Sequence, residues 1–177
     1  KSGEIKIPNL YANSNQGDSV LSSIYSKLGI KTEFNEDSIV LHKTKNIVKE
    51  IELDLSNHPD LALPIIVTIA GLGVKAHLIG LESLKIKESN RLDSIKRELR
   101  KFNISCEIDS SSIKIKESQN IVKPKSTIEC HNDHRIAMSI APLSMKVDSI
   151  KFDNKNVVNK SYPKFWEDFD RVSKNNN

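Results

Sequence analysis

Cysteine, aromatic residues and unbroken apolar runs are all scarce in this chain, and each shortage removes a class of explanation. Its two cysteines, Cys106 and Cys130, form no CxxC pair, so neither a zinc ribbon nor a disulfide framework is expected, and reduced thiols fit a cytoplasmic protein. Five Phe, three Tyr and one Trp, mostly at core-like spacings, make no platform on which bases could stack. No run approaches the roughly 18 apolar residues of a membrane span, and the amino end lacks the apolar centre of a signal peptide. Neither a membrane partner nor export is therefore expected. There is also no block of like charge: 27 Lys and Arg are interleaved with 23 Asp and Glu for a net charge of +4, which suits small anions about as well as nucleic acid. The chain starts at Lys1 instead of Met, as a processed protein or an excised piece of a larger one would.

What is present is enough for one domain with a real core: 177 residues, 37% of them hydrophobic. Compared with itself, the chain repeats its apolar positions at one separation of 74. Leu21, Tyr25 and Leu28 fall on Ile95, Leu99 and Phe102; Ile30, Thr32, Phe34, Ile39 and Leu41 fall on Ile104, Cys106, Ile108, Ile113 and Ile115; Ile66, Ile69, Ala76 and Leu78 fall on Ile140, Leu143, Ile150 and Phe152. The first block of each copy has helical spacing and stops at Gly29 or Asn103, the residue types that best tolerate a left-handed position. Alternating residues follow and read as hairpins, Ile30–Phe34 with Ile39–Leu41 and Ile104–Ile108 with Ile113–Ile115. A further strand is expected over Ile47–Leu53, less clearly over Thr127–Glu129, and then a second helix, Asp60–Leu72 or Asp133–Met145, apolar nearly all round and so needing cover on every side. Pro64 is harmless in the first turn of its helix, whereas Pro142 should kink the other. A third copy opens at Pro163, Phe165, Trp166 and Phe169 and stops short of a hairpin. The expected fold is α+β, with pseudo-threefold βαβαββ repeats (about 13–86, 87–160 and a truncated 161–177), buried helices and outer sheets, in a single domain whose missing strands come from elsewhere.

Charged residues gather where these helices begin. Lys87 and Arg91 flank Glu88 at one helix entrance. The plain reading is a solvated ion pair; the functional one is an anion clamp at a helix amino end, leaving Glu88 to exchange a proton with the ligand. Cys130-His131-Asn132-Asp133-His134 offers metal-ligand types, but adjacent ligands on an emerging helix do not converge on a tetrahedral ion, so no metal is assigned. Asp133 also reads as a helix cap, which leaves His134 and Arg135 at the mouth of a buried helix without explanation. Asp60, itself a candidate cap, falls on His134 at the same offset of 74, and Lys160 comes within one position of being the repeat-mate of Lys87. If the entrances share one end of the domain, Asp60, Lys87, Glu88, Arg91, Asp133, His134, Arg135 and Lys160 share one face.

With these residues in place the chain resembles a known family. Gln16-Gly17-Asp18, His58-Pro59-Asp60, Lys87-Glu88-Ser89-Asn90-Arg91-Leu92, Asn132-Asp133-His134-Arg135-Ile136-Ala137-Met138 and Lys160-Ser161-Tyr162-Pro163 are similar, in order, to the carboxy-terminal half of the 5-enolpyruvylshikimate-3-phosphate synthases. The resemblance runs from about Asn13 to Val172. It implies a monomeric shikimate-pathway transferase of aromatic amino acid biosynthesis, without metal or cofactor. Such an enzyme moves the enolpyruvyl group of phosphoenolpyruvate to the 5-hydroxyl of shikimate 3-phosphate and releases phosphate, and glyphosate competes for the phosphoenolpyruvate site. Carried over, Asp60 contacts the shikimate hydroxyls and acts as base, with Lys87 and Ser83 on the same substrate. Ser83 stands where some members use Asn. Glu88 exchanges a proton with the phosphoenolpyruvate methylene carbon, Arg91 and Arg135 fork its carboxylate, Lys160 takes its phosphate, and His134 with Asp133 supports them. The family's amino-terminal domain supplies further contacts that nothing here matches, so the isolated chain is expected to have no turnover. Two rivals stay open: half of an enolpyruvyl transferase acting on UDP-N-acetylglucosamine, and a non-enzymatic module of similar fold that binds RNA or other anions.

Overall fold

The computed structural model describes residues 3–12, 17–117 and 120–174; Gln16 of the first motif lies outside them. The chain divides into two compact units, Lys1–Lys49 and Glu50–Asn177, with the boundary inside the first expected repeat. In the first unit a 3-10 turn, Gly17–Val20, leads into helix α1 (Leu21–Lys27). Three antiparallel strands, β1 (Glu4–Pro8), β2 (Leu28–Phe34) and β3 (Ser38–Ile47), form a sheet in the order β1-β3-β2. Gly29 has φ +86° and sits in a bulge where the β2 register against β3 shifts between Leu28 and Ile30. A Cβ there would lie 2.8 Å from Ile47 Cγ1, so the position needs glycine for both backbone and space.

The second unit holds a four-stranded sheet in the order β4-β5-β7-β6, from β4 (Glu50–Asp54), β5 (Lys75–Ile79), β6 (Cys106–Ile108) and β7 (Ile113–Ile115). β4 and β5 are parallel, the other pairs antiparallel. Two parallel strands need a crossover, and α2 (Ala62–Leu72) supplies it, preceded by a 3-10 turn at Pro59–Leu61. Eight of its eleven residues are buried, as an all-round apolar helix requires. It packs against α3 (Arg91–Lys101) and α4 (His134–Ile140), which also touch each other.

Helices α2 and α3 end alike. Gly73 (φ +74°) and Asn103 (φ +64°) take the left-handed position, and the next amide, Val74 or Ile104, donates back to Ile69 or Leu99 at 3.1 Å, the Schellman closure. The helix expected over Asp133–Met145 is broken around Pro142: α4 stops at Ile140, a 3-10 turn spans Ala141–Leu143, and α5 (Ser144–Val147) follows. Proline lacks the amide that would bond the preceding turn, so the helix cannot run through. The strand expected over Ile47–Leu53 is divided, because Ile47 pairs with Leu28 as the end of β3 and β4 starts only at Glu50. The weaker strand near Thr127 shrinks to a single parallel bridge between Ile128 and Phe152. The last helix, α6 (Phe165–Lys174), follows a 3-10 turn at Lys155–Lys160. Mixed helices and sheets make the chain α+β.

Candidate active site

Packing α2, α3 and α4 together brings their amino-terminal approaches to one place within the second unit. Asp60 lies in the turn before α2, Lys87 to Asn90 lead into α3, Arg91 is the first residue of α3, and Asp133 caps α4. Each local signal is ordinary. The Asn90 side chain accepts from the Asp93 amide (3.3 Å), and Asp133 Oδ1 accepts from the Arg135 amide (2.9 Å).

Arg91 is the hub, with only 1% of its surface exposed. Its Nε donates to Asp133 Oδ2 at 2.7 Å and its Nη2 to Glu88 Oε2 at 2.7 Å, while Nη1 stands 3.5 Å from Asp60 Oδ1. Ser89 Oγ adds a bond to Asp133 Oδ2 (3.2 Å). Burying a guanidinium and a carboxylate is costly unless every polar edge is matched, and here the fork is matched on all sides. Burial alone would push the Asp133 carboxyl up. The Arg91 bond and charge, the Arg135 amide and Ser89 outweigh it and hold Asp133 below the ordinary aspartate range.

Asp60 is held more loosely. Its carboxylate lies 3.3 Å from Arg135 Nη2, 3.5 Å from Arg91 Nη1 and 3.8 Å from Lys87 Nζ, and Arg135 Nη1 also donates to the Asp60 carbonyl at 2.9 Å. Three cations therefore point at one half-exposed carboxylate. Glu88 is held below the usual glutamate range, first by its own backbone amide, with burial opposing and the charges of Arg91 and Lys160 assisting. It is ionised at neutral pH.

Of the residues the sequence points to, six join one ion-pair network: Asp60, Lys87, Glu88, Arg91, Asp133 and Arg135. Lys160, at the end of the turn before α6, acts on Glu88 through its charge. His134 is the half-buried first residue of α4, and Ser83 lies in the 3-10 turn Glu82–Ile86. Neither side chain makes a hydrogen bond or ion pair among the described residues. Ser89, to which sequence reasoning assigned no role, was visible only as a polar residue before a helix. The cysteines stand apart: burial, then the Asp153 side chain, pushes the Cys130 thiol up to about 12, and burial raises Cys106.

A family model for EPSP synthase (3-phosphoshikimate 1-carboxyvinyltransferase) matches residues 1–169. Proteins named 3-phosphoshikimate 1-carboxyvinyltransferase are similar over nearly the whole chain. The one from Bacteroides fragilis is 35% identical over 166 residues, 93% of this chain and 40% of the relative. That from Clostridium novyi is 36% identical over 178 residues, covering 95% and 38%, and that from Saccharolobus solfataricus 33% identical over 171 residues, covering 94% and 40%. The chain thus spans about 40% of the length of the curated relatives it matches. The network at the three helix beginnings stands inside the matched residues, and the chain belongs to the EPSP synthase (3-phosphoshikimate 1-carboxyvinyltransferase) family.

Proposed function

We propose that the whole protein transfers the enolpyruvyl group of phosphoenolpyruvate to the 5-hydroxyl of shikimate 3-phosphate with release of phosphate, and that this chain supplies the donor-facing part of the site. The observation that carries the reading is the half-exposed Asp60 carboxylate ringed by Lys87, Arg91 and Arg135. Three cations converging on one loosely held carboxylate make a site that a more highly charged anion enters by exchange. Four cations (Lys87, Arg91, Arg135, Lys160) face three carboxylates (Asp60, Glu88, Asp133), so charge balance favours an incoming anion. The relatives' name selects which anion.

In this reading Arg135 and Lys160 take the donor carboxylate and phosphate. Arg91 is bonded to Asp133 and Glu88, so it grips the donor only through Nη1, the edge now turned to Asp60. Displaced from the arginines, Asp60 turns to the shikimate hydroxyl and removes its proton, with Lys87 and Ser83 on the same substrate. Glu88 carries a proton to and from the methylene carbon. In the free site it is ionised, but an anionic donor bound at Arg91 Nη1 and Lys160 offsets two of the charges that depress it. His134 belongs to the same face at the start of α4. We read α1 with β2 and β3, and α3 with β6 and β7, as copies of one repeat, a third beginning at α6, and the chain as the carboxy-terminal half of a cytoplasmic two-domain enzyme. The remaining length of the relatives would supply the rest of the shikimate 3-phosphate contacts.

Phosphate release by the whole protein, with both substrates present, tests the reading. Arg135→Ala is expected to raise KM for phosphoenolpyruvate by roughly tenfold or more, since it removes a charge-assisted contact. Turnover with UDP-N-acetylglucosamine in place of shikimate 3-phosphate, or binding of phosphoenolpyruvate unchanged in Arg135→Ala, would refute it.

A further inference from the structure

Glu98 is buried, 1% exposed, and has no part in the chemistry above. It lies two helical turns after Arg91 on α3, so the two side chains share a face. Arg91 grips Asp133 at one end of the segment between Glu129 and Arg135. Glu98 grips the other end: Oε2 accepts the Glu129 amide at 3.0 Å, and Oε1 lies 3.1 Å from His131 Nε2. Between the two holds, His131 and Asn132 are left-handed in succession, with φ +53° and +54°. For a residue with a Cβ this conformation is disfavoured, and a pair of them persists only where the surroundings over-determine it. Asp153 Oδ1 supports the same turn from outside by accepting the Cys130 amide at 2.9 Å, and the Asp133 amide closes it on the Cys130 carbonyl at 2.9 Å.

Glu98, Glu129 and His131 bring ligand atoms within 4.8 Å of one another, a spacing that would also suit a divalent cation. The Lys101 ammonium already stands there, 2.8 Å from Glu98 Oε2 and 3.5 Å from Glu129 Oε1. A cation of the chain itself thus already sits between the two carboxylates, and the bonds of Glu98 to the Glu129 amide and the His131 ring give it a mechanical role.

We propose that Glu98 is a positioning residue for the anion site: by holding the Glu129 amide and the His131 ring it keeps the left-handed turn wound, so that Asp133 and Arg135 meet Arg91 and Asp60. The inference rests on the donor reading above only for its kinetic consequence; the structural consequence stands without it. In the whole protein, Glu98→Ala is expected to raise KM for phosphoenolpyruvate roughly tenfold or more with a smaller change in kcat, as misplacement of a binding group does. It is also expected to speed hydrogen exchange at the Arg135 amide, whose bond to Asp133 reports the turn. Glu98→Gln, which keeps an oxygen for the Glu129 amide, should restore most of both. Glu129→Gln, whose exposed carboxylate only touches Lys101, should change neither. If Glu98→Ala fails to fold, His131→Ala removes one hold and leaves the other, and the same two shifts are expected at smaller size. Unchanged Arg135 exchange and unchanged KM in the folded variant would overturn the proposal, as would equal loss of stability, kcat and affinity in Gln and Ala variants alike. Faster Arg135 exchange in a protein that never binds phosphoenolpyruvate would sink the donor reading and keep the clamp. Tightened exchange on adding Zn2+ or Mn2+ would assign the cluster to a metal and overturn the mechanical role.

Discussion

Asp133 shows how much a single side chain can carry. It caps α4, bonds Ser89 and neutralises a buried arginine, and removing one member of such a pair leaves the other buried and uncompensated. Asp133→Asn is expected to cost about 3 to 5 kcal/mol in urea unfolding. The pH dependence follows in sign. The folded carboxyl titrates below its unfolded value of about 3.9, so the stabilisation is fully present above about pH 4 and is lost as pH falls through the lower, folded value. The asparagine variant should therefore show a shallower acid limb than the wild type. Cysteine reactivity is a second check at this scale. With both thiols buried and their ionisation pushed up, neither is expected to react with Ellman's reagent at pH 8 until the protein unfolds. Prompt labelling of Cys130 would show that the turn around it opens.

At the level of elements, the two Schellman endings make a matched comparison. Gly73→Ala places a Cβ in the left-handed position at the end of α2 and is expected to cost about 1 kcal/mol. Asn103→Gly eases the backbone but gives up the bond from Asn103 Nδ2 to the Asn120 carbonyl, so its effects oppose and the change should stay within about 0.5 kcal/mol. Equilibrium unfolding of both variants checks this. The stops at Gly29 and Asn103 were legible because backbone sterics at Gly and Asn act locally, whereas Gly73 was not singled out; the hairpins were legible because alternation at period two survives any packing. Strand β1 was not anticipated, although Ile5 and Ile7 alternate with charged neighbours. Two apolar residues carry too little signal, and only pairing with β3 makes them a strand. The break around Pro142 was legible for a covalent reason, while the division of Ile47–Leu53 was not, since it depends on which strand Ile47 meets.

For the molecule as a whole, spanning about 40% of the relatives' length leads to a plain expectation. On the proposed reading, the 177-residue chain alone, given phosphoenolpyruvate and shikimate 3-phosphate, should release no measurable phosphate, because positioning by the remaining length of the protein would be worth up to about 7 to 11 kcal/mol. The amino-acid sequence by itself determined the two hairpins, most of the helices, the left-handed stop at Asn103 and the charged residues at each helix entrance, since those rest on covalent geometry and on periodicity along one chain. Which charge meets which was decided only by tertiary structure. Arg91 stood beside Glu88 in the sequence, and packing of α3 against α4 also buries it on Asp133 and brings it, with Arg135 and Lys87, to Asp60. Nothing in the spacing marked Glu98 or the wound turn at His131 and Asn132. Coulombic partners and buried bonds depend on distance in space, and residues some thirty or more positions apart acquire that distance only when the helices pack.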